Sequence, residues 1–157
     1  MNQALDDFLT KAGDSPVLVS ACLLGLATRY DGDSKADADM VAHAASVRLI
    51  PVCPEQLGGL STPRPKSSLS GGDGSKVLTA SAKVKSESGK DVTENFLRGA
   101  RVVAALAKIT GARFAILKDK SPSCGVTKTN IDFQTADGPG VAAAVLKSLK
   151  IEIFVLP

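Results

Sequence analysis

Three short runs of almost unbroken apolar character constrain this chain most: VLVSA (17–21), RLIPV (48–52) and RFAIL (113–117). Strands that face solvent on one side alternate apolar and polar residues. Continuous runs of this length belong to strands covered on both faces, as in parallel sheets. The sequence therefore predicts buried strands over 17–21, 47–52 and 112–118. A fourth run, IEIFVL, predicts a strand over 151–156, and its opening alternation places it at a sheet edge.

Helical periodicity fills the intervals. Residues 3–12 put Leu5, Phe8 and Leu9 on one face, with Gly13 as a stop. Residues 35–46 put Met40, Val41, Ala44 and Ala45 on one face. A long helix begins at Asp91, where Asp91 and Glu94 resemble a capping box. Val92, Phe96, Ala100, Val103 and Ala107 recur at helical spacing until Gly111. A last helix spans about residues 140–149. Repeated strand–helix–strand order predicts a single α/β domain, Rossmann-like, with a mainly parallel sheet and helices on both faces. One domain over 1–157 suits the length, with residues 1–16 as a flanking N-terminal helix. Residues 60–90 carry the Ser/Gly-rich stretch SSLSGGDGSK, expected to be a mobile loop. The following VLTASAKVKS reads as a short outer strand or hairpin.

Aromatic residues make up only 4% of the chain, so the core is aliphatic and stacking platforms for nucleic acid are lacking. Nineteen basic against sixteen acidic residues give a net charge of +3, too mild for a dedicated nucleic-acid or membrane binder. The start, MNQALDDFLTKAGDS, has no signal-peptide character, and no apolar run is long enough to span a bilayer. A cytoplasmic location is the expectation, with thiols kept reduced.

Three cysteines, Cys22, Cys53 and Cys124, cannot all pair as disulfides. Each sits at or just beyond the C-terminal end of a predicted strand. In a parallel sheet those ends form one rim, where ligands bind. Pro51 and Pro54 flank Cys53, and Pro122 precedes Cys124. Gly25 and Gly125 permit close approach of backbone to a bulky group. Three thiolates suit a soft metal centre, and no C-x-x-C pair or fourth ligand marks a structural zinc site. A 4Fe–4S cluster is usually held by four cysteines; three leave one iron open for chemistry. The single histidine, His43, reads as a helix-surface or core-edge residue. Singly, each cysteine is equally well explained as a small buried core residue.

Several blocks together give a resemblance. SACLLG (20–25) with RYDG and Lys35, PVCPE with GGL and PR (51–64), GKDVT with FLRGA (89–100), and LKDKSPSCG (117–125) resemble the thiouracil desulfidase family over residues 17–157. The resemblance implies a 4Fe–4S cluster on Cys22, Cys53 and Cys124. It also implies non-redox conversion of a thiolated uracil and water to uracil and hydrogen sulfide. The family's acidic catalytic residue matches Glu55 and its serine matches Ser121, with Ser123 as the other candidate. Arg29, Tyr30 and Lys35 are candidates to hold the pyrimidine. Lys118, Lys120 and Lys128 either favour an anionic thiolate substrate or face solvent. The PKSSL and TKTNIDF segments depart from the family pattern, so the choice of thiolated base is open, as is homodimer formation. Two other readings compete: a metal-free enzyme with Cys124 as persulfide-forming nucleophile, and a module that binds sulfur-modified tRNA.

Overall fold

The computed structural model describes residues 1–157. The chain runs α1 (Gln3–Ala12), β1 (Val17–Ser20), α2 (Ala38–His43), β2 (Leu49–Val52), α3 (Pro54–Leu57), β3 (Ser67–Ser70) and α4 (Gly74–Leu78). It continues with β4 (Lys83–Ser86), α5 (Thr93–Thr110), β5 (Phe114–Lys118), β6 (Lys128–Ile131), β7 (Gln134–Asp137), α6 (Val141–Ser148) and β8 (Glu152–Leu156).

The four apolar runs form one parallel sheet in the order β2-β1-β5-β8, with β8 at an edge as the alternation predicted. Successive side chains in a strand point to opposite faces. Val17, Val19, Phe114 and Ile116 accordingly pack on one side with Leu5, Phe8 and Leu9 of α1 and Met40 of α2. Leu18, Ala115 and Leu117 pack on the other side with Val103 and Ala107 of α5 and with Ala143 and Leu146 of α6. Both faces are covered, which is why the strands read as continuous rather than alternating.

From β1 the chain moves outward to β2, then returns past β1 to build β5 and β8. The switch point lies between β1 and β5, and a crevice opens beyond the strand ends there.

A second four-stranded sheet is ordered β4-β3-β6-β7. SSLSGGDGSK, expected to be a mobile loop, is instead β3 and the start of α4, whereas β4 is the short outer strand expected within VLTASAKVKS. TKTNIDF contains β6 and the turn that leads into β7. Leu69, Val77 and Val84 pack against Phe96 and Ala100 of α5 and Val141 and Ala142 of α6. Helices α5 and α6 thus lie between the sheets.

Two helix expectations need correction. Asp37 accepts the Met40 N–H at 3.0 Å, so α2 starts at Ala38 rather than at residue 35. Only Met40 of its expected apolar face is buried, and Val41 is exposed. At α5, Asp91 accepts the Thr93 N–H, while Glu94 lies 3.7 Å from Arg101 and closes no capping box. The first residue of α5 is bonded through Thr93 Oγ1, which accepts the Val84 N–H.

Candidate active site

Cys22 sits in the tight 3-10 turn that follows β1. Its carbonyl accepts the Gly25 and Lys35 N–H groups, which ties both ends of the 25–35 loop to Cys22. Cys53 follows β2 directly and precedes α3, whose first residue is Pro54, a favoured helix start. The short α3 is pressed against α5. A Cβ on Gly99 would stand 1.9 Å from the Pro54 carbonyl oxygen, so only glycine permits this approach. Asn95 Nδ2 donates to the Gly58 carbonyl at 2.9 Å and closes the contact. The GGL and FLRGA blocks therefore fix the helix that bears Glu55.

Cys124 is buried in the loop after β5. Ser121 Oγ accepts the Ser123 and Cys124 N–H groups, both at 3.1 Å, and folds that loop into a turn. Gly125 is packed so closely that a Cβ would meet the Lys128 and Ser121 carbonyls. Asp119 ties the far side. Its Oδ1 accepts the N–H groups of Val126, Thr127 and Lys128, and its Oδ2 accepts the Thr127 hydroxyl at 2.6 Å. Burial pushes the Asp119 carboxyl up, but the hydrogen bonds from Thr127 and the loop amides outweigh it and hold it below the ordinary range.

The three thiols line one open cavity of about 630 Å³. Burial, and then the neighbouring Cys53, raises Cys22. Burial pushes Cys124 up to about 12, with Cys53 and Cys22 adding to the rise. Neither is a preformed thiolate nucleophile. Metal binding deprotonates such buried thiols, because the ligand form is the thiolate. No three His, Cys, Asp or Glu side chains converge on a single metal ion. Each iron of a cluster takes its own thiolate, and three cysteine thiols on one cavity are soft donors of that kind. The donor set fits a cluster.

Glu55 and Ser123 meet across this cavity. Ser123 Oγ donates to Glu55 Oε2 at 3.3 Å, and Ser121 Oγ lies 3.2 Å from Ser123 Oγ. The directions follow by counting protons. Ser123 gives its hydroxyl proton to Glu55, and Ser121 already accepts two N–H bonds, so Ser121 donates to Ser123. The result is a one-way chain, Ser121 to Ser123 to Glu55. Arg29, Tyr30, Lys35, Lys118 and Lys120 also line the cavity. Burial and the nearby charges of Lys35, Arg29 and Lys120 lower Lys118, partly offset by Cys22. Lys128 does not join them; it pairs with Asp137 on the outside. His43 is at the core edge, with Nε2 2.7 Å from Asp6 Oδ1.

Two residues escaped the sequence reading. Arg64 is buried beside Glu55, its Nε donating to Oε1 at 3.0 Å. Asp119 anchors the Cys124 loop. Both lie in blocks that the resemblance already contained, PR and LKDKSPSCG, and that recurrence was the available signal.

Fold and site together define a class: a parallel α/β protein with a three-thiol, cluster-competent pocket at its switch point. Residues 17–156 match the 2-thiouracil desulfurase family, and the chain belongs to it. It is 40% identical over 134 residues to the uncharacterized protein YbbK of Bacillus subtilis (strain 168), covering 83% of this chain and 89% of that one. Among solved structures it resembles the [4Fe-4S]-dependent thiouracil desulfidase TudS, with a TM-score of 0.77 and 38% identity. That similarity covers 90% of this chain and 91% of TudS.

Proposed function

We propose that this chain is a 4Fe–4S-dependent thiouracil desulfidase that converts a thiolated uracil and water to uracil and hydrogen sulfide. The observation that carries this reading is the Ser121–Ser123–Glu55 chain on the same rim as the three thiols. Cys22, Cys53 and Cys124 would hold the cluster. When bound, its open iron supplies a Lewis acid for the soft thiocarbonyl sulfur.

The protein's own groups handle the protons. Glu55 takes a proton from water and so raises its nucleophilicity toward the ring carbon. Ser121 and Ser123 carry a proton between that carboxyl and the departing sulfur or a ring nitrogen. Water contributes the new carbonyl oxygen and two protons, and the sulfur leaves with both. No electron is gained or lost, so neither oxidant nor reductant is needed. Arg29, Lys35, Lys118 and Lys120 favour the deprotonated, anionic thiolate form of the substrate, whose proton is released to solvent on binding. Tyr30 offers an apolar face to the ring beside the Arg29 guanidinium, which lies 5.7 Å from the Tyr30 ring centre.

Anaerobic reconstitution with iron and sulfide, followed by sulfide-release assays, tests this reading. The panel should hold 2- and 4-thiouracil, their nucleosides and thiolated RNA. Glu55→Ala should retain iron and lose desulfuration, whereas Cys53→Ser should lose both. A colourless, iron-free protein that still released sulfide would overturn the cluster assignment. Full activity in Glu55→Ala would remove the general base.

A further inference from the structure

We propose that Arg64 is a positioning residue for desulfuration, one that locks the Glu55 carboxylate in a single orientation and ties it to the Cys53 ligand. This rests on the reading of Glu55 as general base.

Arg64 sits on no helix or strand. It follows the Thr62–Pro63 cis peptide and immediately precedes Pro65. Its backbone N–H donates to the Tyr30 carbonyl at 2.8 Å, joining two loops of the cavity wall. Its side chain is 4% exposed, far less than a surface arginine. All five N–H groups are engaged. Nε donates to Glu55 Oε1 at 3.0 Å. Nη1 donates to the Ser61 carbonyl at 3.2 Å and to Thr62 Oγ1 at 2.8 Å. Nη2 donates to the Thr28 carbonyl at 2.9 Å and reaches Cys53 Sγ at 3.9 Å.

The fork therefore connects the loop after Cys22, the Cys53 thiol and the Glu55 carboxylate in one rigid plane. Because Oε1 is taken by Arg64, Oε2 is left to face Ser123. One carboxylate oxygen is held by the guanidinium and the other is presented to the protons of the reaction. Lysine cannot reproduce this. It has three donors on a flexible stem and no plane to fix two partners at once. An N–H group directed at a ligand sulfur also stabilises the reduced form of an iron–sulfur centre, so it sets the potential.

The test is Arg64→Lys in the reconstituted protein, with three readouts. Iron per chain should stay at the wild-type value. The turnover number should fall at least ten-fold while KM stays within two-fold, because orientation rather than substrate affinity is lost. The cluster midpoint potential should move negative, although the cationic charge is kept. In a Glu55→Gln background the same change should cause no further loss of turnover. A turnover number within two-fold of wild type, or a loss carried wholly by KM, would overturn the proposal. Wild-type activity in Glu55→Gln would instead overturn the general base, and the potential shift would still read the sulfur contact. Should Arg64→Lys fail to fold, Thr62→Val removes one Nη1 acceptor from the half-buried side. It should lower turnover several-fold at constant KM, and an unchanged turnover number would count against Arg64.

Discussion

Replacing Asp119 by asparagine should loosen the loop that carries Ser121, Ser123 and Cys124. The carboxylate accepts four hydrogen bonds, three at Oδ1 and one at Oδ2. Asparagine keeps a carbonyl oxygen for the three loop amides. Its amide nitrogen cannot accept the Thr127 hydroxyl, and the remaining bonds lose their charge. A hydrogen bond to a charged partner contributes about 1.5–3 kcal/mol. Losing one and weakening three that share an oxygen should cost about 2–3 kcal/mol, since bonds to one atom do not add fully. For a chain of this length, each kcal/mol lowers Tm by roughly 2–4 °C, so the apo-protein should melt about 4–12 °C earlier.

The pH dependence has a definite sign. Asp119 is held below its ordinary value in the folded protein, so its stabilisation is present above the unfolded pKa of about 4. It is lost as pH falls through the folded value. The gap in melting temperature between wild type and Asp119→Asn should be full at neutral pH and shrink steadily below about pH 4. Differential scanning calorimetry of the metal-free proteins across pH measures this directly. A gap under 1 °C at pH 7, or one that persists unchanged into strong acid, would refute the assignment of Asp119 as the loop anchor. Anaerobic iron uptake should also slow in the variant, because Cys124 is then less often in place.

Three further substitutions probe other parts of the structure. Gly99→Ala puts a methyl against the Pro54 carbonyl and should force α3 away from α5. Overpacking of this kind costs about 1–3 kcal/mol, and calorimetry together with sulfide release should show stability and turnover falling together. Phe96→Ala empties a fully buried site under the second sheet and should cost about 3–5 kcal/mol, read by urea denaturation. Lys35→Ala should raise KM for thiouracil several-fold with little change in the turnover number, whereas Lys128→Ala, which faces outward to Asp137, should change neither.

What was legible in the sequence divides along physical lines. The first sheet was readable because burial on both faces demands apolar residues at every position, and VLVS and FAIL supply them. The second sheet was legible only at β4, because its other strands keep few apolar residues and satisfy their buried polar groups internally. Ser68 is almost fully buried, yet its hydroxyl donates to Asn130 and accepts the Phe133 N–H at 2.8 Å. A hydrogen-bonded serine can occupy a core position, and hydropathy then reads the strand as loop. The cysteines were legible because strand ends predict a rim. Arg64 and Asp119 act across bonds between loops, with no period to betray them. His43 kept to the core edge, as its helical setting suggested.

The two sheets also divide the labour of the site. The first sheet sets the three thiols, since Cys22, Cys53 and Cys124 all follow its strands. The second sheet supplies Ser67, Asn130 and Thr135, which line the same cavity from β3, β6 and β7. If the three thiols hold the cluster proposed above, their placement tolerates little change, because each thiolate must meet its own iron. The polar wall is less constrained, and Ser67 and Asn130 of it fall in the PKSSL and TKTNIDF segments. Choice among thiolated bases should therefore follow the second sheet. Asn130→Ala and Thr135→Ala should alter the ranking of 2-thiouracil against 4-thiouracil in KM while iron content stays fixed. An unchanged ranking in both variants would move substrate choice back to the cationic loop around Arg29 and Lys35.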